Sequence, residues 1–300
     1  MDFILQQFIN GVTVGGIYAL IALGYTMVYG VLKLINFAHG DLCILGAFIG
    51  LTTLTSGVFG GLSTPVLLIL AFLIAMIVVA VAGTLLDQFA YKPLRKAPRL
   101  SAVVSALGAS MLIQNGIMLI WGPNVQVFPD NLLPNINWEI GGAHISFVQL
   151  LIIVGAFVLM AALYFFVHHT RVGTAIRATA IDQDAARLMG VNVNRVIAMV
   201  FIIGPVLGAV GGLFIGLYYR QTYFTMGWSY GLSAFIAAII GGIGNIPGAM
   251  LGGLLLGLFN AFAAGYVSSS WQDAITFALL IAILLVRPTG LLGERVAEKV

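Results

Sequence analysis

Ionisable side chains are missing from this chain over lengths that no water-soluble fold tolerates. Phe3–Leu32 runs 30 residues without Asp, Glu, Lys or Arg, Leu42–Leu86 runs 45, and Gln221–Gln272 runs 52. An α-helix needs about 20 apolar residues to cross a hydrocarbon core about 30 Å thick, so each run holds one or two spans. Of the 300 residues, 61% are apolar and 8% charged, against about 45–50% and about 25% in a soluble domain. Too few charges remain to cover a water-facing surface. This excludes an ordinary cytosolic enzyme and a disordered chain. It also excludes a nucleic-acid binder, because the net charge is only +3 and the basic residues are scattered among loops.

The spans are helical. LLIIVGAFVLMAALYFF is apolar all round, as a helix in lipid should be, whereas barrel strands alternate. Backbone polar groups in lipid must bond internally. Phe3–Leu32 is too long for a signal-peptide core of about 7–15 residues and is expected to remain as a first span. Ser56–Pro65 is the turn inside the second run. A span ends near Trp121 before Gly122 and Pro123, another starts near Phe147, and Val196–Tyr219 is a further one. Glycines 241, 242, 244 and 248 and Pro247 interrupt the third run, and the last span must use Trp271 to Pro288. The expected fold is all-α: a polytopic transmembrane bundle of eight or nine hydrophobic helices, some broken, with an internal pseudo-repeat. Residues 1–300 are expected to form a single transmembrane domain with a loop at 170–196.

Orientation follows from Lys and Arg. Placing Lys33, the segment Lys92–Arg99, the loop His169–Val196 and the C-terminal tail in the cytoplasm puts 12 of 13 basic residues there, leaving out Arg220. The loop Gly122–Ser146 has Asp130 and Glu139 and no basic residue, which suits the outer face. An odd number of crossings must then follow Arg220, so the glycine-broken stretch is two crossings or one crossing plus a re-entrant element.

No catalytic constellation, metal site or cofactor motif emerges. There is no phosphate-binding G-x-x-x-x-G-K-[ST] and no H-E-x-x-H. GGIGNIPG has Pro247 where a dinucleotide fingerprint needs its third glycine. Cys43 is the single cysteine, so no internal disulfide is available. His168 and His169 fit an interfacial pair. Asp41, Asp87 and Asp273 are placed near span ends, and secondary transporters usually need ionisable groups in mid-membrane. This favours an external energy source, although a self-sufficient ion-coupled transporter or channel for a small polar solute stands as the alternative.

The loop TRVGTAIRATAIDQDAARLMGVNVNRV is too regular for a linker. Asp182 can cap a short helix from Gln183 to Met189, Asp184 sits near its positive end, and Gly190 fits the stop position. Ala185, Ala186, Leu188 and Met189 give it an apolar patch. Such a helix either docks a partner or packs on its own protein. Elsewhere, LINFAHGDLCILG sets Asn36, His39, Gly40 and Asp41 between spans, and GGIGNIPG does the same with Gly244 and Asn245. Paired breaks in two halves point to a pathway or gate; two tight cytoplasmic turns are the other reading. GGLLLG and GAVGGLFIG let helices approach closely.

The segments IRATAIDQDAARLMGVNVNRV, GIYALIALGYTMVYGVLKLINFAHGDL and IIGGIGNIPGAMLGGLLLG and the ending VRPTGLLG resemble permeases of branched-chain amino acid ABC transporters, LivH type, over essentially the whole chain. The resemblance implies an inner-membrane importer subunit, not itself an enzyme, for branched-chain or related amino acids. It implies two cytoplasmic ABC ATPase subunits, a second related permease subunit and a periplasmic or extracellular substrate-binding protein. It also implies that Arg177, Asp182, Asp184, Ala186, Leu188 and Gly190 couple the loop to an ATPase.

Overall fold

The computed structural model describes residues 2–59, 61–95, 97–129, 133–134 and 136–293. Lys96, Asp130, Arg295 and Lys299, which enter the charge argument, lie outside the described residues. Eleven α-helices follow in order among those residues: α1 (Asp2–Leu32), α2 (His39–Thr55), α3 (Thr64–Leu86), α4 (Arg99–Trp121), α5 (Phe147–His169), α6 (Arg171–Ile181), α7 (Gln183–Leu188), α8 (Val193–Tyr219), α9 (Met226–Gly241), α10 (Ile246–Tyr266) and α11 (Gln272–Val286). Seven are long and apolar enough to cross a membrane, α11 when counted with the turn before it from Ser269, and α2 and α9 are shorter apolar helices. That makes nine hydrophobic helices among the described residues, within the expected range.

Their ends have local causes. Ser146 and Gln149 form a reciprocal capping box at the start of α5, with Gln149 N–H donating to Ser146 Oγ at 3.2 Å and Ser146 N–H donating to Gln149 Oε1 at 3.0 Å. Pro65 stands in the first turn of α3, where a missing N–H does no harm. Gly122, at φ +88°, stops α4. The glycine-broken stretch proves to be two separate helices, α9 and α10.

The bundle is built from two halves of opposite orientation. The helix α1 packs on α10 as α8 packs on α3; α2 packs on α3 and α4 as α9 packs on α10 and α11; α1 meets α8, and α2 meets α9. These pairings relate α1–α4 to α8–α11 as an inverted repeat. The two non-glycine residues with positive φ among the described residues confirm the register: Lys33 (54°) follows α1 and Arg220 (56°) follows α8. A six-residue link then leads to α2 in one half, Lys33–Ala38, and to α9 in the other, Arg220–Thr225. The structural mate of the LINFAHG break is therefore the Arg220–Thr225 link. The GGIGNIPG turn, paired with that break on sequence, joins α9 to α10.

Burial grades across the bundle. In α1, 94% of the apolar window is buried, against 17% in α4 and 6% in α11, so α1 is the axis and α4 and α11 face outward. Two short β-pairs clamp one end. Strand β1 (Gln126–Val127) pairs antiparallel with β4 (Gln221–Thr222), and β2 (Asn137–Ile140) pairs with β3 (Ala143–Ser146) across Gly141 and Gly142, both at positive φ. Such a turn needs glycines because both central residues adopt φ > 0. This hairpin is tied to α1 by Gln6, which donates from Nε2 to the His144 carbonyl at 3.1 Å and accepts from His144 N–H at 2.8 Å. The start of α1, the end of α4 and the end of α8 thus share one face, as the alternation of spans requires.

Candidate functional site

The first candidate element is the loop between α5 and α8. Thr170 caps α6 by accepting from Gly173 N–H at 3.0 Å. Arg177 folds back, with Nη1 donating to the Val167 carbonyl and Nη2 to Thr174 Oγ1 at 3.4 Å. It thereby binds a last-turn carbonyl of α5, which helix geometry leaves unpaired, and braces α6 against α5. Asp182 Oδ1 then accepts from the Asp184 and Ala185 N–H groups at 2.9 and 3.0 Å, the N-cap expected from the sequence. Gly190 has φ +84°. Its N–H donates to the Arg187 carbonyl, and that of Val191 to the Ala186 carbonyl, both at 3.0 Å, which completes a Schellman stop. Gln183 Nε2 donates to the Val31 carbonyl at 2.8 Å and moors α7 to the end of α1.

The apolar residues of this unit divide. Ala186 is buried against the protein, while Ile181, Leu188 and Met189 are 87%, 89% and 84% exposed. Asp184 pairs with Arg187 at 2.9 Å with both side chains largely in solvent, an arrangement worth little to stability. Of the six residues singled out, Arg177 and Ala186 hold the unit to the bundle, Asp182 and Gly190 shape it, and Asp184 and Leu188 project outward. Gly190→Ala is expected to cost about 1–2 kcal/mol through the left-handed backbone. Limited proteolysis should then cut within 183–190 faster while the rest of the bundle stays protected.

The second element is a buried joint. His39 Nε2 lies 3.1 Å from the Ile21 carbonyl, and Ile21 stands 11 residues above the end of α1, about 16 Å at 1.5 Å per residue. The chain therefore turns after Lys33 and re-enters the bundle before α2 begins. Asn36, His39 and Asp41 are at most 2% exposed, and His39 sits at the level of Ile21, inside the bundle. Ser110 Oγ donates to Asp41 Oδ2 at 2.5 Å, and Tyr91 Oη donates to Asn36 Oδ1 at 3.1 Å. The Tyr25 and His39 rings meet edge-on with centroids 4.7 Å apart. Gly40 abuts Gly227 and Gly231, so the first turns of α2 and α9 touch backbone to backbone. Asn36 Nδ2, His39 Nδ1 and Asp41 Oδ1 have no hydrogen-bond partner among the described residues.

Gly244 and Asn245 lie apart from this joint. Gly242 and Gly244 take φ +105° and +98°. Asn245 Oδ1 caps α10 by accepting from Gly248 N–H at 2.9 Å, and its Nδ2 donates to the Leu292 carbonyl at 2.9 Å. Leu291 and Leu292 N–H groups donate to Ile240 and Gly241 carbonyls, also at 2.9 Å. The turn thus anchors the segment after α11.

The sequence profile of the branched-chain amino acid transport system permease component matches residues 7–284. The chain belongs to this permease family. It is 44% identical to the high-affinity branched-chain amino acid transport system permease protein BraD of Pseudomonas aeruginosa, over 99% of this chain and 98% of that one. It is 42% identical, with the same coverage, to the permease protein LivH of Escherichia coli K12. A solved metal-chelate type ABC transporter in an inward-facing conformation shares the fold, with a TM-score of 0.52 and 16% identity over 94% of this chain and 85% of that chain. A component of this kind moves solutes and is not an enzyme.

The permease also has a feature that sequence reasoning missed. A cavity of about 350 Å³ opens among α1, α8, α9, α10 and α11, on the face that carries the β-pairs. From α1 it takes Gln7, Asn10, Val14 and Tyr18, which recur at helical spacing on one face. That polar stripe within an otherwise apolar span was the available signal. The remaining lining comes from four other helices and the Arg220–Thr225 link and has no signature in sequence order.

Proposed function

We propose that this permease, as one transmembrane domain over residues 1–300, forms with a second related permease the path for leucine-like amino acids across a bacterial inner membrane, with its C-terminus in the cytoplasm. A substrate-binding protein outside delivers the amino acid. Two cytoplasmic ATPase subunits drive the cycle through the loop 170–196. In this reading Arg177, Asp182, Asp184, Ala186, Leu188 and Gly190 make the coupling unit. Asn36, His39, Gly40 and Asp41 form a gate at the meeting of the two broken halves, and Gly244 and Asn245 secure its inner end. The unpaired polar atoms at the joint support a second arrangement in which they gain partners, because buried polar groups are otherwise bonded.

One observation carries the reading: Ile181 at the end of α6 and Leu188 and Met189 at the end of α7 are exposed on a two-helix unit whose α6 is braced to α5 and whose α7 is capped at both ends and moored to α1. Large apolar side chains held rigidly in water suit a partner groove. Moving a two-state permease from 1:99 to 99:1 takes about 5.5 kcal/mol of differential binding, which two such contacts can supply. The test is Leu188→Asp with Met189→Asp. We expect co-purified ATPase and ATP-driven leucine uptake to fall about tenfold or more, as expected for burying charge at an interface core. Undiminished co-purification and uptake would reject the coupling role, and ion-driven uptake by the purified chain alone would establish the self-sufficient alternative.

A further inference from the structure

The outward cavity carries the chemistry of a small zwitterion. Asp273, in the first turn of α11, is the one charged residue in its lining, and it makes no ion pair among the described residues. Tyrosine rings gather beside it. Tyr230 lies with centroids 6.4 Å from Tyr18 and 5.8 Å from Tyr219. A carboxylate next to aromatic faces attracts an ammonium group, the faces through their negative quadrupole. A donor for the opposite charge comes from α1. Asn10 Oδ1 accepts from both Gln6 Nε2 and Gln149 Nε2, at 3.2 and 2.9 Å. This assigns the oxygen and leaves the Asn10 amide N–H groups to donate. Val14, Ala261 and Ala264 supply apolar wall. The volume, about 350 Å³, is at the small end of ligand pockets of about 300–1,000 Å³, enough for one amino acid.

We propose that this cavity is a transit site for a free amino acid, with Asp273 and the tyrosines receiving its ammonium, Asn10 its carboxylate, and the apolar wall its side chain. The proposal rests on the amino-acid reading above and adds where, within this chain, the substrate is held after delivery. A site lined by neutral hydroxyls alone would suit an uncharged solute. The lone carboxylate makes a net-cationic or zwitterionic ligand the better match.

The test uses the complete transporter, both permeases with their ATPases, in nanodiscs without the binding protein. Binding of radiolabelled leucine is measured with isoamylamine, which lacks the carboxylate, and 4-methylpentanoate, which lacks the ammonium, as competitors. ATP hydrolysis reports that each variant is folded and assembled. We expect Asp273→Asn to weaken leucine binding about tenfold, the loss of one charge-assisted contact. Ala264→Trp, which fills the cavity, should remove binding while hydrolysis persists. Isoamylamine should compete better than 4-methylpentanoate. Wild-type leucine binding in both variants, or the reverse order of competitors, would overturn the proposal. Leucine uptake in proteoliposomes with the binding protein separates the two levels. Unchanged uptake in the variants sinks the cavity alone, whereas a wild-type transporter that moves no leucine sinks the amino-acid reading and the site with it.

Discussion

Gly40→Leu will remove the folded permease from the membrane, while Gly57→Leu will leave it there. A Cβ at Gly40 would collide with the Gly227 carbonyl and sit 2.9 Å from the Gly231 Cα. The converse holds too, because a Cβ at Gly231 would lie 2.9 Å from the Gly40 Cα. Both obstacles are backbone and cannot swing aside as a side chain would. Helices in lipid associate by close packing with little hydrophobic drive, so a gap forced between α2 and α9 is not offset by other burial. Ordinary overpacking costs about 1–3 kcal/mol. A four-carbon side chain between two backbones exceeds that, against a total stability of about 5–15 kcal/mol. At Gly57 a Cβ meets nothing within 4 Å. Membrane-integrated protein and Tm in detergent measure both, with Gly40→Ala expected between the extremes. An unchanged Tm for Gly40→Leu would show that the α2–α9 joint opens without penalty.

The legible and illegible parts of this fold differ in the range of the interactions that fix them. The capped turn Asp182–Gly190 was readable because its hydrogen bonds connect residues a few positions apart. The ends of α4 and α5 at Trp121 and Phe147 were readable for the same reason. The depth of His39 was not, because it depends on Ile21, on the far side of the Lys33–Ala38 link. The repeat was partly visible as two breaks, but the wrong pair was matched. Glycines advertise the GGIGNIPG turn, whereas the true correspondence turns on Lys33 and Arg220, residues rarely found with positive φ. Charge sidedness sums over whole loops. It read Asp87 and Arg95 as members of a boundary segment and gave no hint that they bind each other.

That pair supports the second large effect: Arg95→Ala will destabilise the permease by about 3–5 kcal/mol, the range for removing one partner of a buried ion pair. Arg95 Nη2 reaches both Asp87 oxygens, at 2.6 and 2.9 Å, and Nη1 donates to Asn194 Oδ1 at 2.8 Å. The side chains are 16% and 5% exposed. Asp87 opens a wide turn, Asp87–Tyr91, that ends α3, and Asn194 sits in the first turn of α8. One guanidinium therefore ties together two helices from opposite halves of the bundle. Arg95→Lys will rescue only part of the loss, because an ammonium lacks the planar fork that holds the carboxylate and the amide together. Asp87→Leu combined with Arg95→Met will recover most of it, since replacing both charges removes the stranded carboxylate. Thermal unfolding of Asp87→Leu, Arg95→Met and their combination forms a closed cycle. If the double variant loses the sum of the two single losses, the pair is not a coupled unit, and the link between α3 and α8 must lie in their apolar contact alone.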